Sequence, residues 1–497
     1  MDKEVLLKLN NMQIASGKRT LATVPRLWVR PGEIHGIIGE SGSGKSLTLL
    51  SIAGLLAPGL TCTGEAVFHL GEINHSLYNT SEKIWRTLRG RHIGMVFQEP
   101  MTALNPQMTC GEQLMEAWCV HGSAQNAAEE INKALLQVGF TETERFLQSY
   151  PHQISGGQRQ RIMIAMASLH KPALLLADEP TTALDTISAS GVMDALVDTC
   201  TKMGSALILV SHDLETVAKY CRFITVMRRG EVVVSGTREE VLSENPHPYV
   251  RELLDANPTA KNHRVADSDA ILKAEHLGKL YRHKGKLFEA LKDVSFALSS
   301  GQTLALVGFS GSGKSTIARI LTGLEDADTG MLYFNGARLK TGKPTGIQMV
   351  FQDPYASLNM ELTNLYTVSE VFRVKGENHA AANAKAMALL GKVGLSREMA
   401  NGYPHQLSGG QRQRLCIARA LASEPRVLIL DESVAALDPL VQKQILDLLK
   451  SLQAQTGMIY IFITHNLQVA RALGDRFLVL DKGHIVHYGT ELTGLPA

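Results

Sequence analysis

Short apolar runs alternate along the chain with longer stretches that carry a helical pattern of apolar positions. The runs EIHGIIG (33–39), ALLLA (173–177), ALILV (206–210) and TLALVG (303–308) have the length of buried strands. Strands that alternate with helices in this way are typical of parallel sheets. The pattern therefore predicts an α/β fold in which each half of the chain has a mostly parallel core sheet.

Five motifs occur twice and in the same order, so the chain is an internal repeat. GESGSGKS (39–46) returns as GFSGSGKS (308–315), and VFQEPMTALN (96–105) returns as VFQDPYASLN (350–359). The other pairs are YPHQISGGQRQR (150–161) with YPHQLSGGQRQR (403–414), LLLADEP (174–180) with LILDES (428–433), and SHDL (211–214) with THNL (464–467).

The spacing of the motifs locates an insertion in the first copy. Three pairs share one offset of 253 positions: Ser155 with Ser408, Asp178 with Asp431, and His212 with His465. Lys45 and Lys314 are 269 positions apart, so the first copy has extra residues between its glycine-rich loop and Gln98. We expect the insertion within residues 60–90.

Length and composition predict two soluble domains. The 497 residues exceed one ordinary core, and the polar segment ANPTAKNHRVADSDA (256–270) is typical of a linker. We therefore expect domains at 1–257 and 270–497, with a linker at 258–269.

The net charge of +2 argues against nucleic-acid binding. The six cysteines show no pairing pattern such as CxxC, which is typical of reduced thiols in the cytosol. The sequence has neither a secretory signal nor an apolar run long enough to span a membrane.

The two glycine-rich loops have the chemistry of phosphate-binding loops. Each follows an apolar strand, and glycines allow backbone N–H groups to surround phosphate oxygens at a helix N-terminus. Lys45 and Lys314 are expected on the β- and γ-phosphates, and the hydroxyl groups of Ser46 and Ser315 on Mg²⁺. The alternative is a glycine-rich turn that binds nothing. The candidate ATP-binding residues are Gly39, Glu40, Ser41, Gly42, Ser43, Gly44, Lys45, Ser46 and Leu47, and Gly308, Phe309, Ser310, Gly311, Ser312, Gly313, Lys314, Ser315 and Thr316.

A pair of acidic residues closes an apolar strand in each copy. Asp178 and Asp431 are expected to hold Mg²⁺ through water, and Glu179 and Glu432 to act as general bases on the attacking water. The alternative is a solvated pair of carboxylates at a strand end.

The signature SGGQ resembles that of the ATP-binding-cassette (ABC) superfamily. The resemblance implies an ATPase with two P-loop domains, each with a parallel core sheet, an antiparallel β subdomain and a helical signature subdomain. It also implies ATP and Mg²⁺ as cofactors and a head-to-tail pairing in which each ATP lies between one domain's loop and the other domain's signature. The signature residues are Ser155, Gly156, Gly157 and Gln158, and Ser408, Gly409, Gly410 and Gln411.

The resemblance assigns further roles. Gln98 and Gln352 are similar to the family's Mg²⁺- and water-sensing glutamines, and His212 and His465 to its switch histidines, each 34 positions after its aspartate. Asp185 and Asp438 are similar to acids that link the two sites, and Tyr281 to the aromatic residue that stacks on adenine. Residues 10–20 of the first copy have no aromatic residue, which predicts weaker nucleotide binding there. Both sites are expected to hydrolyse ATP.

The motifs FQEPMTALNP, YPHQISGGQRQR and NPHPYVRELL (245–254) resemble the dipeptide, oligopeptide and nickel importers. That resemblance implies two transmembrane permeases, a heterodimer, that dock beside 99–107 and 353–360. It also implies an extracytoplasmic substrate-binding protein and a peripheral position on the cytoplasmic face of the inner membrane. The open alternatives are a soluble ABC factor, a tandem sugar-importer ATPase and a phosphonate-metabolism ATPase. Many peptide-type members of that family carry a cysteine-bearing extension after the HPY segment, but here no cysteine lies between 221 and 416. The second half also lacks an HPY segment and ends in GTELTGLPA. Both departures weakly favour nickel or a metallophore as the cargo.

Overall fold

A computed structural model describes residues 5–78, 80–182, 184, 186–256, 270–283, 286–309, 311–339, 346–434 and 437–492. The predicted linker at 258–269 and the candidate residues Asp185 and Ser310 lie outside the described residues. Contacts divide the chain into two compact units, Met1–Asp255 and Ala256–Ala497, and each is described by itself.

The first unit is built around one mixed sheet. Its described strands are β1 (Leu7–Ser16), β2 (Arg19–Val29), β3 (Ile34–Gly39), β4 (Leu60–Leu70), β5 (Ile73–Ser76), β6 (Ile93–Val96), β7 (Leu174–Asp178), β8 (Ala206–Ser211), β9 (Phe223–Arg228) and β10 (Glu231–Thr237). Its described helices are α1 (Lys45–Ile52), α2 (Glu82–Leu88), α3 (Pro100–Ala103), α4 (Cys110–Cys119), α5 (Ala127–Gln137), α6 (Thr143–Leu147), α7 (Gly156–Ser168), α8 (Thr186–Met203), α9 (Leu214–Tyr220), α10 (Arg238–Val241) and α11 (Pro248–Leu254), with 3₁₀ turns at Ala124–Asn126 and Pro151–Gln153.

The strand order of this sheet is β5-β4-β1-β2-β10-β9-β3-β8-β7-β6. Strands β9, β3, β8, β7 and β6 are parallel, whereas β5, β4, β1 and β2 pair antiparallel. One residue pair, Glu231 of β10 with Thr23 of β2, joins the parallel part of the sheet to the antiparallel part. The parallel core with an antiparallel extension confirms the predicted fold class.

The second unit repeats this plan with two sheets. Its described strands are β11 (Leu272–His283), β12 (Lys286–Leu298), β13 (Thr303–Gly308), β14 (Thr329–Phe334), β15 (Ala337–Arg338), β16 (Ile347–Val350), β17 (Val427–Asp431), β18 (Ile459–Ile463), β19 (Arg476–Asp481) and β20 (His484–Gly489). Its described helices are α12 (Lys314–Leu321), α13 (Pro354–Ser357), α14 (Asn364–Val374), α15 (His379–Lys392), α16 (Arg397–Asn401), α17 (Gly409–Leu421), α18 (Pro439–Thr456) and α19 (Leu467–Leu473), with a 3₁₀ turn at Pro404–Gln406. The sheet orders are β12-β11-β14-β15, antiparallel, and β16-β17-β18-β13-β19-β20, parallel except for β20.

Burial explains why the central strands carry apolar runs. Every residue of β7, β8, β17 and β18 is buried, because helices cover both faces of the parallel sheet. Parallel strands end at one edge, and the register places Asp178 opposite Val210 and Ile38 opposite Ser211. The glycine-rich loop, the acidic pair and the segment with His212 therefore meet at the carboxyl edge of the sheet.

The insertion predicted within 60–90 contains helix α2, which has no described counterpart between β15 and β16 of the second unit. Trp85 of this helix is 5% exposed, and a Cβ atom built on Gly54 would lie 2.4 Å from its ring. Arg89 lies over the same ring at 4.8 Å and donates to the carbonyl oxygens of Ala53 at 2.9 Å and Gly54 at 2.6 Å. The insertion is thus packed into the core beside the end of helix α1.

Candidate functional site

The loop of residues 39–46 connects β3 to α1 in the first unit. Gly42 and Gly44 adopt left-handed backbone angles, with φ of 77° and 97°, which favour glycine. Lys45 is 4% exposed, and its Nζ donates to the carbonyl oxygens of Gly39 and Glu40, each at 2.8 Å. The loop therefore closes around a buried ammonium group.

The loop of residues 308–315 has the same geometry in the second unit. Gly311 and Gly313 have φ of 80° and 109°, and Lys314 Nζ donates to Gly308 O at 2.8 Å and Phe309 O at 2.7 Å. The buried hydroxyl groups of Ser43 and Ser312 have no hydrogen-bond partner among the described residues. Ammonium groups, unsatisfied hydroxyl groups and helix N-termini fit the oxygens of a bound phosphate.

The serine after each lysine reaches the first acid of the pair. Ser46 Oγ donates to Asp178 Oδ1 at 3.0 Å, and Ser315 likewise hydrogen-bonds the side chain of Asp431. A hydroxyl and a carboxylate are hard oxygen ligands of the kind that Mg²⁺ prefers. The two side chains thus fit the predicted Mg²⁺ site.

The second acid of the first unit's pair lies at the centre of a polar cluster. One oxygen of Glu179, Oε2, accepts from Gln98 Nε2 at 3.2 Å and from Thr182 Oγ1 at 2.9 Å. His212 Nδ1 lies 3.1 Å from the same oxygen, and Lys45 Nζ lies 3.8 Å from Oε1. Four side chains, three of them distant from Glu179 in the sequence, therefore converge on one carboxylate.

Glu432 has the matching position in the second unit. Gln352 Nε2 donates to Glu432 Oε2 at 2.7 Å, and His465 Nδ1 lies 3.3 Å from Oε1. Glu179 and Glu432 share the left-handed φ of 43°, and the backbone N–H of each donates to β8 or β18. A non-glycine residue in this region is strained, so the surrounding fold holds both carboxylates in place.

The two acids of each pair have opposite pKa shifts. Burial, and then the charge of the neighbouring glutamate, raise the pKa of Asp431 to about 6, and burial also raises the pKa of Asp178. Burial alone would raise the pKa of Glu179, but His212 and Lys45 outweigh it and lower the value to about 2. The hydrogen bond from His465 lowers the pKa of Glu432. Both glutamates are therefore ionised at neutral pH and can accept a hydrogen bond from water.

The signature residues form helix N-termini. Ser155 and Gln158 make a reciprocal capping box before α7, with Gln158 N donating to Ser155 Oγ at 3.3 Å and Ser155 N to Gln158 Oε1 at 2.9 Å. Ser408 and Gln411 make the same contacts at the start of α17. The side chains of both glutamines are thus engaged in the caps, and Gly156, Gly157, Gly409 and Gly410 lie in the first turns.

Tyr281 and Asp438 are the remaining candidates of the second unit. The Tyr281 hydroxyl donates to Glu325 and hydrogen-bonds Thr316, so its side chain lies beside the phosphate loop. Asp438 caps helix α18 and accepts from Val441 N at 3.1 Å. The adenine-stacking role of Tyr281 stays a prediction.

The sequence analysis missed two residues. Thr182 donates to Glu179 from three positions further along the chain, and Tyr249 Oη accepts from Glu40 N of the phosphate loop at 3.3 Å. Thr182 lies in the segment DEPTT (178–182), so the sequence alone could have indicated that its hydroxyl group lies close to Glu179. Tyr249 lies 209 positions from Glu40, and only the tertiary fold brings the two together.

The ABC transporter family model matches residues 25–182 and 291–435, together more than half of the chain. The glutathione import ATP-binding protein GsiA of Salmonella typhimurium (strain LT2) is 40% identical over 93% of this chain and 82% of its own length. The protein of the same name from Escherichia coli (strain K12) is 38% identical over 98% of this chain and 87% of its own length. The cassette MJ0796 in a dimeric post-hydrolysis state with ADP and Pi is 32% identical, with a TM-score of 0.41, and covers 44% of this chain and 98% of that chain.

Proposed function

Because the chain belongs to the ABC transporter family of ATPases, we propose that it is the ATP-hydrolysing motor of an importer that takes up small peptides. The observation that carries the ATPase part is the repeated cluster of lysine, serine, acidic pair, glutamine and histidine at the edge of each parallel sheet. Both clusters are complete, so both units are proposed to hydrolyse ATP.

In each unit we assign a separate catalytic role to each polar side chain of the cluster. Lys45 and Lys314 would balance the charge of the phosphates, and Mg²⁺ would be held by Ser46 with Asp178 and by Ser315 with Asp431. The ion, when bound, screens the negative charge of the phosphate oxygens. Glu179 and Glu432 orient a water molecule and accept its proton.

The histidines and glutamines hold the two bases in place. His212 and His465 keep the carboxylates charged, because each contacts its glutamate. Gln98 and Gln352 donate to those carboxylates. The two glutamines lie just after strands β6 and β16, so a movement of the chain at these positions would change the hydrogen bond to the base.

The import part rests on relatives that this chain matches over 82–87% of their own length. The proteins named for glutathione import are 38–40% identical to this chain and match both of its cassettes. Glutathione is a tripeptide, so the proposed cargo is glutathione or a peptide of similar size rather than nickel. The relatives do not favour the soluble or phosphonate-metabolism alternatives.

The segments around Gln98 and Gln352 offer surfaces for permeases. Phe97 and Met101 are 40% and 49% exposed, and Phe351 and Tyr355 are 43% and 57% exposed. Large apolar side chains at matching exposed positions favour contact with another protein. None of the described helices has both the length and the apolar character needed to cross a bilayer. We propose that a heterodimer of permeases docks here and works with an extracytoplasmic binding protein, which places the chain on the cytoplasmic face of the inner membrane.

Separate replacement of the two bases tests the ATPase assignment. Glu179→Gln and Glu432→Gln keep the shape of the side chain but remove its charge, so each should lower the rate of phosphate release by about tenfold or more. Glu129→Gln, at a carboxylate that is 70% exposed on α5, is the matched control and should keep the wild-type rate. Full ATPase activity in either base variant would contradict the proposal that both sites hydrolyse ATP.

Uptake by cells tests the import assignment. Cells that lack the gene should lose uptake of labelled glutathione or of a short peptide, and the wild-type gene should restore it. The gene with both Glu→Gln substitutions should not. Uptake of Ni²⁺ restored in place of peptide uptake would show that the proposed cargo is wrong.

A further inference from the structure

Helix α11, the tail helix, packs against the phosphate loop of its own unit. The helix begins at Pro248, and His247 Nδ1 accepts from Tyr249 N at 3.2 Å in its first turn. Tyr249, Val250 and Leu253 are 1%, 0% and 4% exposed, so one face of the helix is fully docked. The helix is thus a fixed part of the first unit and not a loose extension.

Tyr249 contacts the backbone of the second residue of the loop. The N–H of Glu40 donates to Tyr249 Oη at 3.3 Å, while the carbonyl oxygen of Glu40 accepts from Lys45 Nζ at 2.8 Å. Both polar backbone groups of Glu40 therefore have a partner. The tail helix holds one of them, and the phosphate-binding lysine holds the other.

Charged side chains reinforce this contact. Arg228, at the end of β9, lies over the ring of Tyr249 at 4.3 Å, and its Nη2 is 3.2 Å from Glu252 Oε2 of the tail helix. Its Nε is 3.9 Å from Glu40 Oε1. Arg228 therefore lies between carboxylates of the loop and of the helix, and connects both to the sheet.

The second unit has different residues at the matching positions. Phe309 follows the first glycine of its loop where the first unit has Glu40, and Asp481 ends β19 where the first unit has Arg228. A phenylalanine and an aspartate cannot form the ion pair of the first unit. Among the described residues, the ion pair beside the loop is therefore found in the first unit and not in the second.

We infer that Tyr249 is a positioning residue for the ATP site of the first unit. By holding Glu40 it keeps the loop ordered before ATP binds, so less conformational freedom is lost on binding. This support offsets the missing adenine-stacking aromatic of that unit. The inference rests on the proposed function, because it takes residues 39–46 to be the ATP-binding loop.

The test measures ATP affinity one site at a time in the full chain. Lys314→Ala disables the second loop and leaves the first to be titrated, and Lys45→Ala does the reverse. A fluorescent, non-hydrolysable ATP analogue with Mg²⁺ serves as the probe. Adding Tyr249→Phe should weaken binding about three- to tenfold in the Lys314→Ala chain, the range expected for loss of one hydrogen bond. It should leave the affinity of the Lys45→Ala chain unchanged.

Tyr488→Phe is the matched control. Tyr488 Oη accepts from Ala297 N at 3.2 Å and donates to Ala297 O at 3.0 Å, so this variant also loses hydrogen bonds between a tyrosine and the backbone, but at a residue that belongs to neither loop. It should alter neither affinity. A purely structural role of Tyr249 would lower the melting temperature without changing the ratio of the two affinities.

The possible outcomes separate the inference from the function on which it rests. Equal affinities of the Tyr249→Phe chain and its Lys314→Ala parent would overturn the inference alone. An equal loss in both backgrounds would also overturn it, because the effect would not be confined to the first site. Absence of binding in both parent chains would overturn the ATP-site assignment itself.

Discussion

At the scale of single residues, a hydroxyl group distinguishes the two catalytic clusters. Thr182 donates to Glu179 at 2.9 Å in the first unit, and the residue 253 positions further on is Ala435. The alanine side chain has no hydroxyl group, so this position of the sequence cannot supply the same side-chain donor to Glu432. The two proposed bases therefore differ at this position, although their motifs match.

Thr182→Ala tests this difference. The variant should lower kcat for ATP hydrolysis by about two- to tenfold, because one hydrogen bond to the base is lost. KM for ATP should change little, since Thr182 contacts the base. Thr182→Ser keeps the hydroxyl and is the control. A serine variant as impaired as the alanine variant, in steady-state assays of phosphate release, would show that the hydroxyl is not responsible.

At the scale of elements, helix α2 shows what the insertion of the first unit does. Its Trp85 is nearly fully buried and fills space beside Gly54, just after the helix that follows the phosphate loop. The inserted residues are therefore part of the core of this unit. The sequence located the insertion by spacing alone, but its role depends on a contact with Gly54 that spacing does not show.

Trp85→Ala should destabilise the first unit by about 3 kcal/mol, because a large buried ring is removed and a cavity remains. Denaturant unfolding followed by circular dichroism gives the measurement. Trp28→Ala is the control, since Trp28 is 37% exposed beneath Arg26 and should cost about 1 kcal/mol or less. Equal losses for the two variants would contradict the role assigned to helix α2.

At the scale of the whole molecule, each unit has a core of its own. Leu176, Ile208 and Phe68 belong to one buried cluster of the first unit, and Ile429 and Ile461 to one of the second. Fusion into one chain keeps two non-identical units together in equal numbers and raises the effective concentration of each for the other.

Residues 1–256 and 270–497, produced as separate chains, should each unfold cooperatively, because each keeps its own core. Scanning calorimetry of the two chains gives the measurement. The full chain should show two transitions near those of its parts. A half that lacks a cooperative transition alone and gains one on mixing would show that the units are not independent.

The sequence by itself determined the fold class, the repeat and the family, and it predicted most of the residues that the structure brings together beside each glycine-rich loop. These follow from contiguous motifs, because a strand, a glycine-rich turn and a helix N-terminus form from neighbouring residues and have a fixed local geometry. Equal spacings of 34 positions also identified His212 and His465 as candidates, whereas their contacts with Glu179 and Glu432 were found in the structure.

Only the tertiary structure decided which more distant groups hold those loops and bases. Tyr249 reaches Glu40 across 209 positions, and Trp85 meets Gly54 through the packing of an inserted helix. Neither contact has a signal in residue spacing, because side chains from separate elements meet only when the sheet and helices are packed. That packing is the basis on which we propose that two units with matching motifs differ in how they bind ATP.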